Sequence, residues 1–381
     1  MSALVAEADR AAASGDLARA IGLLEQAGED DPSQPQLWLK LAALRRAAGE
    51  PAKALDAVNR ALALAELDFM ALTMRATLIE KLNLKDAGEA WAHALAQRPT
   101  GELPPQLTQA LAKGEAIRDA WIDEREVRLE AATSVALADA DDDEAARISR
   151  FQSNVLRKTR PYHSQPTHFA FPGLVEREFH ARRAHPWLAT VEAATDALAA
   201  ELEEVMAAER AELVPYIQYA EHEAMAQWRD LNQSSDWTAI HLIRNGEIVE
   251  ANARHCPEAM ALMSGLPQPD IPGAGPNAMF SLLAPHTTIP PHVGVNNCRL
   301  VCHLPLVVPE GCWFRVGAET RHWRRGEAFV FDDTIEHEAA NPSDQLRVVF
   351  IFDVWHPGLS EIEREAVRRV IACEGGVDNA L

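Results

Sequence analysis

Two histidines in the second half of the sequence have a spacing that suits a metal site. His292 precedes the strand-like segment "RLVCHLPLVV", and His337 follows 45 residues later within "EAFVFDDTIEHE". Arg347 comes ten residues after His337 and starts another strand-like segment. Imidazole nitrogen is a suitable ligand for Fe(II), and two histidines leave several coordination positions open. The arginine offers a planar, permanently charged fork that can hold a carboxylate through paired hydrogen bonds.

Each of these histidines also has a simpler interpretation. A single histidine in such a segment is more often structural or on the surface than a metal ligand. The two histidines and Arg347 together indicate a metal site more specifically than any one of them, because their spacing and strand context fit the same kind of site. Asp332 and Asp333, shortly before His337, either orient a ligand as hydrogen-bond acceptors or cap a turn. Three tryptophans either line a substrate cleft or pack in the core: Trp237, Trp313 and Trp323.

From about residue 165 the sequence alternates short apolar segments with turns. A helical stretch, "HPWLATVEAATDALAAELEEVMAAERAEL", comes first, and β-type segments of five to ten residues follow it. Proline and glycine separate these segments, a pattern typical of an antiparallel sandwich or barrel of the jelly-roll type. The β-type segments are "WTAIHLI", "AMFSLLA", "RLVCHLPLVV", "CWFRVG", "EAFVF" and "LRVVFIFDVW".

The first hundred residues contain an internal repeat with a period of 34. Aligning Gly15 with Gly49 also pairs Ala20 with Ala54, and a further step puts Asn83 in the turn. Small residues recur where two helices approach closely, and this period is typical of the tetratricopeptide repeat, an antiparallel helix pair that stacks into a solenoid. The repeats either form a concave surface for a peptide or partner, or act as a helical spacer that stabilises the next domain.

A charged segment connects these two regions. It begins with the proline-containing break "RPTGELPPQ", continues as a charged helix, and ends in "RKTRPYHSQPTHFAFPGL", which we interpret as the linker. The acidic run "DADDDEAARI" lacks the glycine-punctuated loop of a calcium site, so we interpret it as a helix start, where acids are favourable. The predicted organisation is a helical repeat domain over 1–100, a helical connector and linker over 101–164, and a β-rich domain over 165–381.

Charge and composition exclude several classes of protein. The formal net charge of -21 opposes binding to nucleic acid or to an anionic membrane surface. No apolar run approaches the roughly 18 to 20 residues of a membrane helix, and the N-terminal residues lack the pattern of a secretory signal. The five cysteines are sparse and odd in number, which favours reduced thiols over a disulfide framework. We therefore expect a cytoplasmic protein without membrane insertion.

Residues from about 165 to 358 resemble the aspartyl/asparaginyl β-hydroxylase family of Fe(II)- and 2-oxoglutarate-dependent oxygenases. The resemblance lies in "FSLLAP", "IPPHVGVNNCRLVCHLPLVVPEGCWFRVG", "FVFDDTIEHEA" and "RVVFIFDVWHP". Animal members of this family also carry tetratricopeptide-like repeats before the catalytic domain. The resemblance implies an α+β multidomain fold, in which an N-terminal α-helical tetratricopeptide-like solenoid is followed by a double-stranded β-helix (jelly-roll) oxygenase domain.

The family pattern implies roles for individual residues of this sequence. His292 and His337 would bind the iron. Ser281 and Arg347 would bind the distal carboxylate of 2-oxoglutarate. His303 would contact the carboxylate next to the keto group. The pattern implies no catalytic residue beyond these metal and cosubstrate ligands.

Two positions depart from commoner patterns. Many 2-oxoglutarate oxygenases place an acid two residues after the first histidine, where this sequence has Gly294. The resemblance therefore implies only two protein ligands for iron, with water at the vacant position, although a simple turn would also explain this glycine. Animal members have an arginine two residues before the position of His303, where this sequence has Val301. Arg299 shares a face with both through strand alternation and would bind the keto-acid end from further along the strand.

The resemblance implies a dioxygenase that uses Fe(II), 2-oxoglutarate and O2, with ascorbate as a reductant, to hydroxylate an unactivated C–H bond. The family name points to the β-carbon of aspartate or asparagine in a peptide or protein, which the repeats would bind. A fatty-acyl or small amino-acid substrate is an alternative. A non-catalytic binding or sensor module, made of the repeats and a barrel without activity, is the alternative from another class of protein.

Overall fold

The structure is a computed structural model that describes residues 3–208, 213–218 and 228–375. It divides into two compact units, the first ending at Leu156 and the second beginning at Arg157. The sequence instead predicts boundaries after residues 100 and 164. The difference arises because the helices that follow residue 100 pack onto the repeats.

The first unit is an array of helices. Within its described residues, three successive helix pairs are followed by one long helix and one shorter helix. They are α1 (Ala3–Ala13), α2 (Leu17–Asp30), α3 (Pro35–Ala47), α4 (Pro51–Leu64), α5 (Phe69–Lys81), α6 (Ala87–Ala96), α7 (Pro105–Ala138) and α8 (Asp142–Val155).

The turn inside each helix pair confirms the predicted period of 34. Gly15, Gly49 and Asn83 occupy the three turns with φ values of 86°, 80° and 53°. This left-handed region is open to glycine and accessible to asparagine, whereas most residues are strained there. Ala20 and Ala54 are each 0% exposed, as expected where two helices of a repeat meet. The N-terminal solenoid of tetratricopeptide-like repeats is therefore confirmed.

Helix α7 packs closely on the last repeat helix, α6. A Cβ on Gly88 of α6 would overlap Trp121 of α7, and a Cβ on Gly114 of α7 would overlap Trp91 of α6. Glycine at both positions lets each tryptophan lie against the backbone of the opposite helix. Leu111 of α7 is buried in the same apolar cluster. The segment predicted to be a connector is thus the closing helix of the repeat unit.

The second unit is built from antiparallel strands. The predicted apolar segments appear as strands, and additional polar or proline-containing strands lie between them. The strands are β1 (Leu213–Pro215), β2 (Trp237–Arg244), β3 (Glu247–Ile248), β4 (Ala278–Leu283), β5 (Thr287–His292), β6 (Arg299–Val307), β7 (Trp313–Val316), β8 (Glu319–His322), β9 (Phe329–Phe331), β10 (His337–Asn341) and β11 (Arg347–Trp355).

These strands form two sheets. The larger has the order β1-β2-β4-β11-β6-β9, with β3 paired to β2, and the smaller has the order β5-β10-β7-β8. An apolar cluster joins residues of both sheets, including Met279 of β4, Phe314 of β7 and Ile351 of β11. The two sheets therefore face each other around a common interior, which is the predicted double-stranded β-helix.

Helices cover the other face of the larger sheet. Leu198 and Leu202 pack there against Phe350 and Phe352 of β11. Residues 209–212, at the end of the predicted helical stretch, lie outside the described residues. Among the described residues no helix combines the length and apolarity needed to cross a membrane. The helices of this unit are α9 (Leu188–Ala193), α10 (Thr195–Ala207), α11 (Glu250–Ala253), α12 (Pro257–Ser264) and α13 (Glu361–Cys373).

The segment interpreted as a linker lies against the sheets of the second unit. Gln165 donates its backbone N–H to the Thr334 carbonyl at 2.7 Å, and the Ser164 and Thr334 hydroxyls are 2.6 Å apart. Thr167 donates its backbone N–H to the Gly294 carbonyl at 3.1 Å. These bonds fix the two loops that carry Gly294 and Thr334, so the segment supports the site between the sheets.

Candidate active site

The two candidate metal ligands face each other across one pair of strands. His292 is the last residue of β5, and His337 is the first residue of β10. They are direct partners in the strand register, and their ring centroids are 3.9 Å apart. Both side chains line a cavity between the two sheets. The fold therefore brings together two imidazoles that are far apart in the sequence.

Backbone carbonyl groups determine which nitrogen of each imidazole ring carries the hydrogen. Nδ1 of His292 is 2.7 Å from the Pro290 carbonyl oxygen, and Nδ1 of His337 is 3.0 Å from the Ile335 carbonyl oxygen. A carbonyl only accepts, so each Nδ1 carries a hydrogen and each Nε2 presents a lone pair. Burial lowers the pKa of His337 to about 4 and the pKa of His292 well below its usual value. Two neutral, oriented imidazoles of this kind fit a divalent transition metal.

A carboxylate lies where a side chain at position 294 would project. A Cβ built on Gly294 would overlap the carboxylate of Asp333, and the Gly294 N–H donates to the Asp333 carbonyl at 2.7 Å. Asp333 also lines the cavity that holds the two histidines. In the described parts of the chain, no three His, Cys, Asp or Glu side chains form a group that could hold a metal ion. The site therefore offers two imidazole ligands with a carboxylate beside them.

Arg299 is held in a buried ion-pair network. Its guanidinium lies 3.0 Å from Asp333 Oδ2 and 3.4 Å from Asp353 Oδ1, and it is 2% exposed. Asn277 donates its backbone and side-chain N–H groups to Asp353 Oδ2, both at 2.9 Å. Arg299 is thus directed at two carboxylates, and the structure does not place it among the residues that line the cavity. The sequence could not reveal these partners because Asp353 lies on β11 and Asp333 lies in the loop between β9 and β10.

The cavity is also lined by an arginine that forms no ion pair with a described carboxylate. Arg347 is 1% exposed, and none of the described residues forms an ion pair with it. Its guanidinium stacks 4.6 Å above the Trp323 ring, and its Nε has no hydrogen-bond partner among the described residues. Burial lowers its pKa to about 10, so it stays charged at neutral pH. A buried, unpaired cation of this kind favours an anionic ligand.

Ser281 and His303 lie with Arg347 along the same cavity. Trp237 Nε1 donates to Ser281 Oγ at 3.0 Å, which leaves the serine hydroxyl hydrogen free to donate. His303 packs against Phe331, with ring centroids 4.8 Å apart, and its buried Nδ1 has no partner in the described part of the chain. Burial lowers the pKa of His303 well below its usual value. The structure therefore brings together the residues predicted to bind a dicarboxylate.

Aromatic and aliphatic side chains form most of the cavity wall. Trp237 and Trp323 line the cavity, as one of the two interpretations predicted, whereas Trp313 does not. Two further aromatic residues of the wall are not predicted from the sequence. The Trp228 ring lies 4.8 Å from that of His292, and the Tyr216 ring stacks 3.8 Å from that of Trp237. The cavity volume is about 60 Å³. Its described lining residues are Tyr216, Ile217, Trp228, Trp237, Ser281, Ile289, His292, Gly294, Val301, His303, Phe314, Trp323, Phe331, Asp333, His337, Ala339, Arg347 and Ile351.

The fold and the site define a repeat protein with a double-stranded β-helix domain. Its cavity holds a histidine pair and an arginine that has no ion-pair partner among the described residues. Residues 192–357 match the family model for aspartyl/asparaginyl beta-hydroxylase, and residues 11–78 match that for the tetratricopeptide repeat. The chain therefore contains a region that matches the aspartyl/asparaginyl β-hydroxylase family, preceded by residues that match the tetratricopeptide repeat.

Curated relatives of this chain are also named for aspartyl/asparaginyl or aspartate beta-hydroxylase. Aspartyl/asparaginyl beta-hydroxylase of Homo sapiens is 32% identical over 186 residues, which are 49% of this chain and 24% of that protein. Aspartate beta-hydroxylase domain-containing protein 2 of Homo sapiens is 37% identical over 142 residues, which are 36% of this chain and 38% of that protein. The alignments thus span less than two fifths of either relative.

Solved structures also resemble the repeat region. The first tetratricopeptide repeat domain of Spaghetti (RPAP3), bound to an HSP90 peptide, is similar to 31% of this chain and 90% of that chain. The sequence identity is 21% and the TM-score is 0.27.

Proposed function

We propose that this chain is an Fe(II)- and 2-oxoglutarate-dependent hydroxylase of an unactivated C–H bond. The observation that carries the proposal is the pairing of His292 with His337, both with Nε2 unprotonated, in the cavity that Arg347 also lines. No described carboxylate forms an ion pair with Arg347. A family model named for a hydroxylase, which matches residues 192–357, and a human relative of the same name support it. Bound iron, with 2-oxoglutarate and O2, would supply the oxidising power that hydroxylation requires.

His292 and His337 would hold the metal. Their carbonyl hydrogen bonds fix each ring in one tautomer and one orientation, so little reorganisation is needed on metal binding. Asp333 would orient a metal-bound water from its position beside Gly294. Arg299 would hold this carboxylate in place through their 3.0 Å ion pair.

Arg347, Ser281 and His303 would orient the cosubstrate. The guanidinium of Arg347 suits two-pronged binding of the distal carboxylate, and the Ser281 hydroxyl donates a further hydrogen bond. Neutral His303 would donate to the other end of the molecule. The apolar walls would exclude bulk water, which strengthens these polar contacts and limits unproductive oxidation.

The names of the relatives point to a substrate class. Both human relatives are named for aspartate or asparagine hydroxylation. The broad proposal therefore includes the β-carbon of such a residue in a peptide or protein, with the repeats of the first unit as the binding surface for the polypeptide.

Succinate formation from 2-oxoglutarate tests the proposal. Purified protein with Fe(II), ascorbate and air should release succinate, and a His292→Ala variant should release none and bind no iron. His286→Ala is the matched control, because this neighbouring histidine is exposed and pairs with Asp344 at 2.8 Å. Absence of both iron binding and succinate in the wild type would contradict the proposal and favour a non-catalytic binding module.

A further inference from the structure

The hydroxyl of Ser281 is held from one side by the indole of Trp237. Nε1 of Trp237 donates to Ser281 Oγ at 3.0 Å, and the two residues are 4% and 1% exposed, respectively. An indole N–H can only donate, so it occupies an acceptor position of the serine hydroxyl. The hydroxyl hydrogen must therefore point away from Trp237. The direction in which Ser281 donates thus depends on the orientation of the Trp237 indole.

The ring of Tyr216 covers that indole. The two rings are nearly parallel, with centroids 3.8 Å apart and planes inclined by 10°. The Tyr216 backbone N–H also donates to the Trp237 carbonyl at 2.9 Å, so the residue that stacks on the indole is bound to the backbone of Trp237 as well. Stacked aromatic pairs add stability beyond the area that they bury. Rotation of the indole away from Ser281 would lose this stack, so Tyr216 favours the orientation in which the N–H reaches the serine.

These contacts lead to the proposed cosubstrate site. Tyr216, Trp237, Ser281 and Arg347 all line the cavity. Ser281 of β4 is the register partner of Val349 of β11, and strand alternation places Arg347 on the same face as Val349. The Ser281 hydroxyl and the Arg347 guanidinium therefore lie on one surface, where a single carboxylate can accept hydrogen bonds from both.

The aromatic ring of Tyr216 and its hydroxyl group can be tested separately. Burial raises the pKa of the phenol above its usual value, so the side chain is neutral at neutral pH. A phenylalanine ring at this position can stack on Trp237 in the same way. Removal of the hydroxyl alone should therefore leave the contact with Trp237 in place.

We propose that Tyr216 is a positioning residue for the 2-oxoglutarate that the proposed function requires. Its ring holds the indole of Trp237, and the indole N–H holds the hydroxyl of Ser281. The hydroxyl hydrogen is thereby directed to the distal carboxylate that Arg347 binds. The inference rests on the proposed function and adds to its cosubstrate site a residue that acts through Trp237 and does not itself bind 2-oxoglutarate.

A double-mutant cycle tests the inference. Calorimetric titration of the Mn(II)-loaded protein with 2-oxoglutarate gives the dissociation constant without turnover. Tyr216→Leu should raise this constant by about fivefold in the wild-type background, which corresponds to the loss of one aromatic stack. In the Ser281→Ala background the same substitution should raise it by less than about twofold, because the hydroxyl that the stack orients is absent. A merely structural effect would be the same in both backgrounds, so factors that differ by less than about twofold overturn the inference.

Tyr216→Phe is the matched control, since it keeps the ring and removes only the hydroxyl. Its dissociation constant for 2-oxoglutarate should stay within about twofold of the wild-type value. A larger increase would assign the effect to the phenol and contradict the role of the stack. If Tyr216→Leu does not fold, as judged by circular dichroism, Tyr216→Met takes its place in the cycle, because methionine is flexible and adapts to irregular spaces.

Failure of the inference can be distinguished from failure of the proposed function. Absence of 2-oxoglutarate binding in the wild-type protein contradicts the proposed function. Ser281→Ala should itself weaken this binding by about tenfold, because it removes a hydrogen bond to a charged group. Such a loss, together with equal factors for Tyr216→Leu in both backgrounds, contradicts the inference alone. An unchanged affinity in Ser281→Ala also overturns the inference, since the effect of Tyr216 passes through this serine.

Discussion

Asp333 packs directly against Gly294, beside the pair formed by His292 and His337. The Asp333 carboxylate fills the place into which any side chain at position 294 would project. Because Asp333 is also paired with Arg299 and is 4% exposed, it has little freedom to withdraw. Packing against Asp333 therefore requires glycine at this position, because the Gly294 backbone does not have the positive φ that would itself favour glycine.

Adding one methyl group at this position should destabilise the second unit. We expect Gly294→Ala to lower the free energy of unfolding by about 1 to 3 kcal/mol, because the buried carboxylate must shift away from Arg299. Urea unfolding measures this change. Gly265→Ala is the control, since its Cβ would meet only the Leu262 carbonyl oxygen, at 3.5 Å. It should change stability by less than about 0.5 kcal/mol. Equal effects of the two substitutions would contradict the overlap with Asp333.

Metal binding should stabilise the folded protein through the histidine pair. Fe(II) or Mn(II) at about 100 times its dissociation constant should add about 2.7 kcal/mol to the unfolding free energy. His337→Ala should abolish this increase, because one of the two imidazole ligands is gone. Anaerobic thermal unfolding with and without metal measures the shift. The control is His322→Ala, at an exposed histidine at the end of β8, which should keep the full shift. A retained shift in His337→Ala would mean that the metal binds elsewhere.

The apolar strands were predictable because burial on both faces leaves a continuous apolar run in the sequence. Segments such as "RLVCHLPLVV" and "LRVVFIFDVW" form β6 and β11 near the middle of the larger sheet. The sequence predicts no strand where β5 lies, because Pro290 and Pro291 interrupt it. Strand β5 tolerates them because it lies at the edge of its sheet, where a missing N–H breaks no ladder.

The site was predictable only in part, because some of its contacts join residues that are distant in the sequence. The spacing of His292, His337 and Arg347 along the chain is visible in the sequence. The partners of Arg299 are not, because they depend on the register of β6 with β11 and on the fold of the loop that carries Asp333. Trp228 likewise lies far from His292 in the sequence, and only the tertiary fold brings the rings together.

Cosubstrate affinity should depend on the shape of the Arg347 guanidinium as well as its charge. Arg347→Lys keeps the charge but loses the planar fork that holds a carboxylate in two places. We expect the dissociation constant for 2-oxoglutarate to rise by about tenfold to a hundredfold, as measured by calorimetry. Arg325→Lys is the control, because Arg325 is half exposed and pairs with Asp196 at 2.7 Å. An unchanged affinity in Arg347→Lys would remove Arg347 from the cosubstrate site.

Three buried histidines outside the cavity should make stability depend on pH. The His180 ring lies 5.9 Å from that of His185 and 5.5 Å from that of His356. Nε2 of His180 and Nε2 of His185 have no hydrogen-bond partner among the described residues. Burial, with the neighbouring rings and Arg177 also contributing for His180, lowers the pKa of His180 to about 3 and that of His185 to about 4. Both rings are therefore neutral in the folded protein at pH 5.

The direction in which stability changes with pH follows from the lowered pKa values of His180 and His185. Below the usual histidine pKa of about 6.5 the unfolded chain binds protons that the folded protein excludes, so stability falls as the pH falls. Between pH 6.5 and 5, His180 alone should account for about 1 to 2 kcal/mol of this loss. A His180→Phe variant should lose correspondingly less stability on acidification, as measured by urea unfolding at each pH. The exposed control His322→Phe should follow the wild type. Parallel curves for wild type and His180→Phe would contradict the prediction.

Two glycines of the repeat unit should respond in opposite directions to the same substitution. Gly49 has a φ of 80° in the turn between α3 and α4, so Gly49→Ala should destabilise the unit by about 1 kcal/mol. Gly22 lies inside α2, and a Cβ added there would project into open space, so Gly22→Ala should stabilise the unit by about 1 kcal/mol. Chemical unfolding followed by circular dichroism at the helix signal measures both changes. Opposite signs are expected because the positive φ of Gly49 favours glycine, whereas the helical position of Gly22 does not. Equal signs would contradict that assignment.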